Sequence, residues 1–187
     1  MRSASRYHPV LVTLHWLLAV LIVAALVVGF AILASMDNAE PRKIVVLRVH
    51  MAVGTLILFL MIVRFVVRLR TARPAAANRP ALVVHYGFYV LVILAAGTGF
   101  ATAIAAGLPE IVFGNSGDPL PKSFAAYPAW QAHFWLGLLL AGVIVLHVLA
   151  ALYHQFLAKD RLLGRMAFGR RAAGPAPARD TSNASSL

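Results

Sequence analysis

The chain has 187 residues, of which 61% are apolar and 12% charged, a balance too greasy for a water-soluble domain of this size. It contains no cysteine, which excludes disulfides, thiolate metal sites and cysteine-ligated iron-sulfur clusters. Its net charge of +11 would suggest nucleic acid in a soluble protein. Here the bases lie beside apolar stretches, so membrane topology explains them and no nucleic-acid partner is expected.

The first apolar stretch covers about residues 9–35 and is too long, without a trustworthy cleavage pattern, to be a removable signal. Three more follow at about 44–67, 82–106 and 130–157. Each exceeds the roughly 20 residues needed to cross a bilayer. The connections between them are short enough for antiparallel neighbours, so the expected fold is all-α, an integral membrane four-helix up-down bundle.

Lys and Arg set its orientation. Arg2 and Arg6, then Arg64, Arg68, Arg70, Arg73 and Arg79, then Lys159, Arg161, Arg165, Arg170, Arg171 and Arg179 fall on one side, against Arg42, Lys43, Arg48 and Lys122 on the other. Both termini are therefore expected in the cytoplasm. The membrane domain is read as residues 1–166. Residues 167–187, rich in Ala, Pro, Ser and Arg, are read as a disordered cytoplasmic tail.

The histidines carry the chemistry. The first span bears His15 near its cytoplasmic end, in Leu-His-Trp; the second bears His50 near its external end; the fourth bears His133 first and His147 fourteen residues later. On a helix fourteen residues return to within roughly 40° and advance about 21 Å, so His133 and His147 share a face at two depths. Depth sorts the four into His15 with His147 on the cytoplasmic side and His50 with His133 on the external side. His8, beside Pro9, is read as interfacial.

Zinc or copper would recruit more than two ligands, and a di-iron carboxylate site would need glutamates, yet no Asp or Glu falls within any span. A haem asks the protein for two axial ligands only, since the porphyrin supplies four nitrogens. Two b haems, one per leaflet, are thus predicted, with these four histidines on iron. Gly29, fourteen residues after His15, and Gly54, one turn past His50, would let a flat macrocycle approach the backbone, and Gly137 stands one turn past His133. Arg48 and Arg64 are candidates for the propionates of the external and cytoplasmic haems. Snorkelling to headgroups is the alternative for Arg64.

The runs Thr-Leu-His15-Trp16-Leu, Arg48-Val-His50-Met-Ala-Val-Gly54 and Met61-Ile-Val-Arg64 with Arg68, and the closing pattern His133, His147, His154, Lys159-Asp160, resemble the bacterial cytochrome b561 family. Within that family the resemblance is to the superoxide oxidase type, over almost the whole chain to about Met166. It implies a bacterial inner-membrane oxidoreductase, embedded in the lipid bilayer, that passes electrons from superoxide to ubiquinone. The family's four axial histidines fall on His15, His50, His133 and His147. It also implies that His154 helps to form a quinone pocket, with His85 a further candidate.

The outer surface departs from this pattern. A superoxide oxidase should draw an anion inward with positive potential. The outer loops instead set Asp37, Glu40, Glu110 and Asp118 against Arg42, Lys43, Arg48 and Lys122, whose clustering alone would supply a funnel. The alternative is a relay cytochrome that takes electrons from a redox partner protein, a dehydrogenase or a periplasmic carrier. The loop from Gly107 to Ala129, with four prolines, is expected to be irregular and to cap the external haem or dock a partner.

Overall fold

The structure, a computed structural model, describes residues 7–71 and 79–159, and for residues 79–83 and His85 the backbone only. The basic residues at 2, 6, 73 and beyond 159, and the expected tail, lie outside the described residues. Helix α1 (Pro9–Val27) runs on as a π-helix (Val28–Leu33); α2 (Pro41–Arg70), α3 (Arg79–Ala105), the short α4 (Leu108–Val112) and α5 (Pro128–Phe156) follow, with a 3-10 turn at Phe124–Ala126. No strand occurs among the described residues.

Proline marks the starts. Pro9, Pro41, Pro109 and Pro128 all stand in the first turn of their helices, where the missing N–H costs nothing. His8 caps α1, its Nδ1 accepting from the Val10 amide at 3.3 Å, a role more definite than the interfacial one its position suggests.

Four helices are long and apolar enough to cross a membrane: Pro9–Leu33, Pro41–Arg70, Tyr86–Ala105 and Pro128–Phe156. At 1.5 Å per residue even the 20-residue one covers about 30 Å, the thickness of a bilayer core. The side chains facing outward confirm the solvent intended for them. Val20, Phe59, Phe100, Leu146 and Phe156 are all more than half exposed, which suits hydrocarbon and would not suit water.

Contacts along the helices make the neighbours antiparallel. Arg64, late in α2, reaches the Leu11 carbonyl early in α1 at 3.3 Å. Arg68 stacks on Tyr86 near the start of α3 at 5.2 Å. Phe88 meets His147, late in α5, at 5.3 Å. At the other end Phe30 of the π-helix packs on Phe134, early in α5, at 5.4 Å. The bundle therefore runs up, down, up, down. One end holds the start of α1 and the end of α5; the other, the far end, holds the loops at 34–40 and 106–127.

Two cores fill it. Leu18, Ile57, Met61, Tyr89, Val92 and Leu140, one or two from each long helix, form the middle. Leu47, Ala103, Ala106, Leu108, Val112 and Leu120 close the far end under the long loop. That loop is more regular than its prolines suggest, because α4 buries Leu108 and Val112 against α2 and α3.

Polar side chains stitch the far-end loops together. Asn38 Nδ2 donates to Pro121 O at 2.6 Å, Lys43 Nζ to Met36 O at 2.7 Å, and Arg48 Nε to Val112 O at 2.7 Å. Asn38→Ala removes one such link and is expected to loosen the cap by about 1 kcal/mol. Amide exchange should then quicken around residues 118–123 and stay unchanged in the helices.

Candidate functional site

His50 on α2 and His133 on α5 meet across the bundle with ring centroids 6.1 Å apart and planes at 85°. They come from two different long helices, so the pair bridges the interior. The spacing has a chemical meaning. Two metal–imidazole bonds of about 2 Å, plus about 1 Å from each bound nitrogen to its ring centre, require roughly 6 Å between centroids. Rings simply packed on each other carry no such requirement.

The surroundings fit a flat, apolar group held by two imidazoles. His50 Nδ1 is buried without a hydrogen-bond partner among the described residues, an uncommon state for a buried polar atom. The Gly29 position faces His50 Cε1 at 3.5 Å, so no side chain intrudes there, and a Cβ on Gly54 would meet nothing within 4 Å. Among the described residues no group of three or more His, Cys, Asp or Glu could hold a bare metal ion. A pair of imidazoles is the donor set that a macrocyclic iron asks for.

Gly137 faces a neighbouring helix, the ordinary role of a small residue in a membrane bundle. A Cβ there would lie 3.3 Å from the Phe30 ring, so the small residue makes room for a neighbouring helix. The cause is the π-helix at Val28–Leu33, whose extra residue per turn re-aims Phe30; nothing in the sequence around Gly29 signals it.

The second pair is built differently. His15 is half-buried on the face of α1 that carries buried Leu11, Leu14 and Leu18, while its neighbours Trp16 and Leu17 are exposed. His147 is half-buried between exposed Leu146 and Val148. Both therefore look inward, at the half of the bundle that holds the start of α1 and the end of α5. The His15 ring contacts Trp16 at 5.3 Å and the His147 ring contacts Phe88 at 5.3 Å. Among the described residues no ring contact joins His15 to His147. Leu140, seven residues from both His133 and His147, is buried in the middle core, so dry packing separates the two levels.

Arg64 turns into the bundle. Its Nε donates to the Tyr89 hydroxyl at 3.2 Å and its NH1 to Leu11 O, so the side chain is committed inward instead of snorkelling. One turn on, Arg68 is 5% exposed, lies over Tyr86 and Tyr89, and leaves its Nε without a hydrogen bond. Arg48, though exposed, spends its Nε on α4. His154 is half-buried beside Tyr153 at 5.7 Å; the side chain of His85 lies outside the described residues.

The far-end cations do not cluster as a funnel. Lys43 is 5% exposed, tucked under the loop with Phe124, and Arg42 pairs with Glu40. The third span was expected at about 82–106, but not its contact with His133: α3 bonds His133 Nδ1 through Ala95 O at 2.8 Å.

Residues 6–169 match the family model described as prokaryotic cytochrome b561. Cytochrome b561 homolog 2 of Escherichia coli (strain K12) is 27% identical over 175 residues, covering 88% of this chain and 92% of the relative. A protein of Yersinia pestis named probable superoxide oxidase CybB is 28% identical over 181 residues, covering 86% of this chain and 95% of the relative.

Proposed function

The chain belongs to the prokaryotic cytochrome b561 family, and from that premise we propose that it binds two b haems and carries single electrons from superoxide to ubiquinone. The observation that supports this most is the His50–His133 pair at 6.1 Å, at the height where depth alone places one ligand set. Positive-inside asymmetry assigns the far end to the periplasm and both termini to the cytoplasm of a bacterial inner membrane.

In this reading His50 and His133 hold the periplasmic-side iron, and His15 and His147 hold the cytoplasmic-side one. Gly29 and Gly54 leave room for the macrocycle, and Arg48 and Arg64 have further N–H groups to offer propionates. A haem held by such a pair of histidines would supply one-electron exchange. His133 and His147 stand about 21 Å apart along one helix, which spaces the two centres across the membrane. His154, with His85, would hydrogen-bond a quinone oxygen and pass it a proton. Two superoxide ions each give up one electron and leave as oxygen; the quinone gains those two electrons and two protons and leaves as quinol.

The superoxide donor draws support from the name of the Yersinia pestis relative. One observation favours a second reading, a relay that docks a redox partner protein: the far-end surface is charge-balanced and three of its four cations, Arg42, Lys43 and Arg48, are engaged within the far-end loops. Weak steering is therefore expected. The rate of haem reduction by superoxide should change less than about threefold between low and physiological ionic strength. Stopped-flow mixing of the haem-loaded protein with superoxide, with and without ubiquinone, tests the proposal. Fast haem reduction, followed by reoxidation only when quinone is present, is expected. Haems that stay oxidised under superoxide but are reduced by a periplasmic carrier would move the assignment to the relay.

A further inference from the structure

We infer that α3 positions His133 and fixes its proton, through the Ala95 carbonyl and the absent side chain of Gly99, with Thr98 as the tuning residue. The inference rests on the reading of His133 as an axial ligand.

A carbonyl oxygen has no proton to give, so the 2.8 Å contact from His133 Nδ1 to Ala95 O requires the hydrogen on Nδ1. Nε2 is then left with its lone pair, the form a metal needs. One turn along α3, a Cβ at Gly99 would stand 2.9 Å from His133 Cε1 and 3.0 Å from Nδ1. Real side chains do not approach so closely, so any residue larger than glycine must push the ring away. The two contacts bracket the imidazole: one holds it by a hydrogen bond, the other admits it by lacking a side chain. His50 has no counterpart, since its Nδ1 is buried and unbonded.

Thr98 shares the same acceptor. Its hydroxyl reaches Ala95 O at 3.0 Å and Leu94 O at 2.8 Å, and its single hydrogen divides between them. Whatever share falls on Ala95 weakens that oxygen as an acceptor for His133. A stronger bond at Nδ1 puts more electron density on Nε2 and stabilises the oxidised iron. Thr98 therefore sets how far the periplasmic-side potential is lowered. Residue 98 acts through residue 133 and touches neither iron nor substrate.

The test is optical redox titration with haem quantification on the haem-loaded full chain. Gly99→Ala is expected to lose the periplasmic-side haem or shift its alpha band, while Gly97→Ala on the same helix, where a Cβ meets nothing within 4 Å, leaves both haems unchanged. Thr98→Val keeps the branched shape and both haems but moves one of the two one-electron waves to lower potential. Should Gly99→Ala fail to fold, Thr98→Val decides alone. Two haems with unchanged bands and potentials in both variants would overturn the inference while leaving the ligand reading intact. A His133→Ala protein that retained both haems would instead overturn the ligand reading.

Discussion

His133→Ala is expected to halve the haem content, from two per chain to one, with the surviving haem showing the alpha band and potential of the cytoplasmic-side centre. The ring removed is one of two whose centroids stand 6.1 Å apart, and no other His, Cys, Asp or Glu cluster is available to replace it among the described residues. An iron left with His50 alone keeps one axial bond in an apolar slot, too little to retain a dissociable haem through purification. The other pair is insulated. His147 lies fourteen residues away, with Leu140 and the core formed by Leu18, Ile57, Met61, Tyr89 and Val92 between the levels. His50→Ala should give the same protein, since it removes the opposite half of the same clamp. Haem quantification against protein, followed by redox titration with a single remaining wave, measures both. Equal loss of the two haems would mean that His133 does not belong to one centre.

His154→Ala is expected to slow quinone reduction by about two orders of magnitude, the usual contribution of a positioned proton donor, with both haems retained. The residue is half-buried near the end of α5 beside Tyr153, seven residues beyond His147 and therefore on nearly the same face. Its loss leaves the entry of electrons at the far end untouched. In a single-turnover experiment, haem reduction by superoxide should keep its rate and reoxidation by ubiquinone should slow. Reoxidation at the wild-type rate would remove His154 from the quinone site.

Much of this fold could be read from the amino acids because a bilayer imposes length and apolarity together, and four uninterrupted stretches satisfy both. What escaped reading was local. The π-helix at Val28–Leu33 inserts an extra residue per turn into a stretch whose composition matches its surroundings. As a result Phe30 packs against Gly137. α4 hides in a loop rich in proline because its burial depends on Leu47, far away in sequence.

The site divides along the same line. Rise per residue alone sets His50 opposite His133, and their rings do face each other. The contribution of α3 was illegible because the group that accepts from His133 is a backbone carbonyl, which every residue owns, and because Gly97 and Gly99 look alike until one of them meets a ring. Lys43 reads as a surface cation among Arg42 and Arg48; only the folded loop shows it bonded inward to Met36 O.

The central claim is that two irons, each clamped by two imidazoles, sit in one chain. The most direct measurement is the haem-to-protein ratio of the purified, haem-replete protein, combined with low-temperature electron paramagnetic resonance of its oxidised form. Two haem b per chain, both low-spin and six-coordinate, are expected. A ratio of one, or a high-spin signal from half of the iron, would contradict the claim.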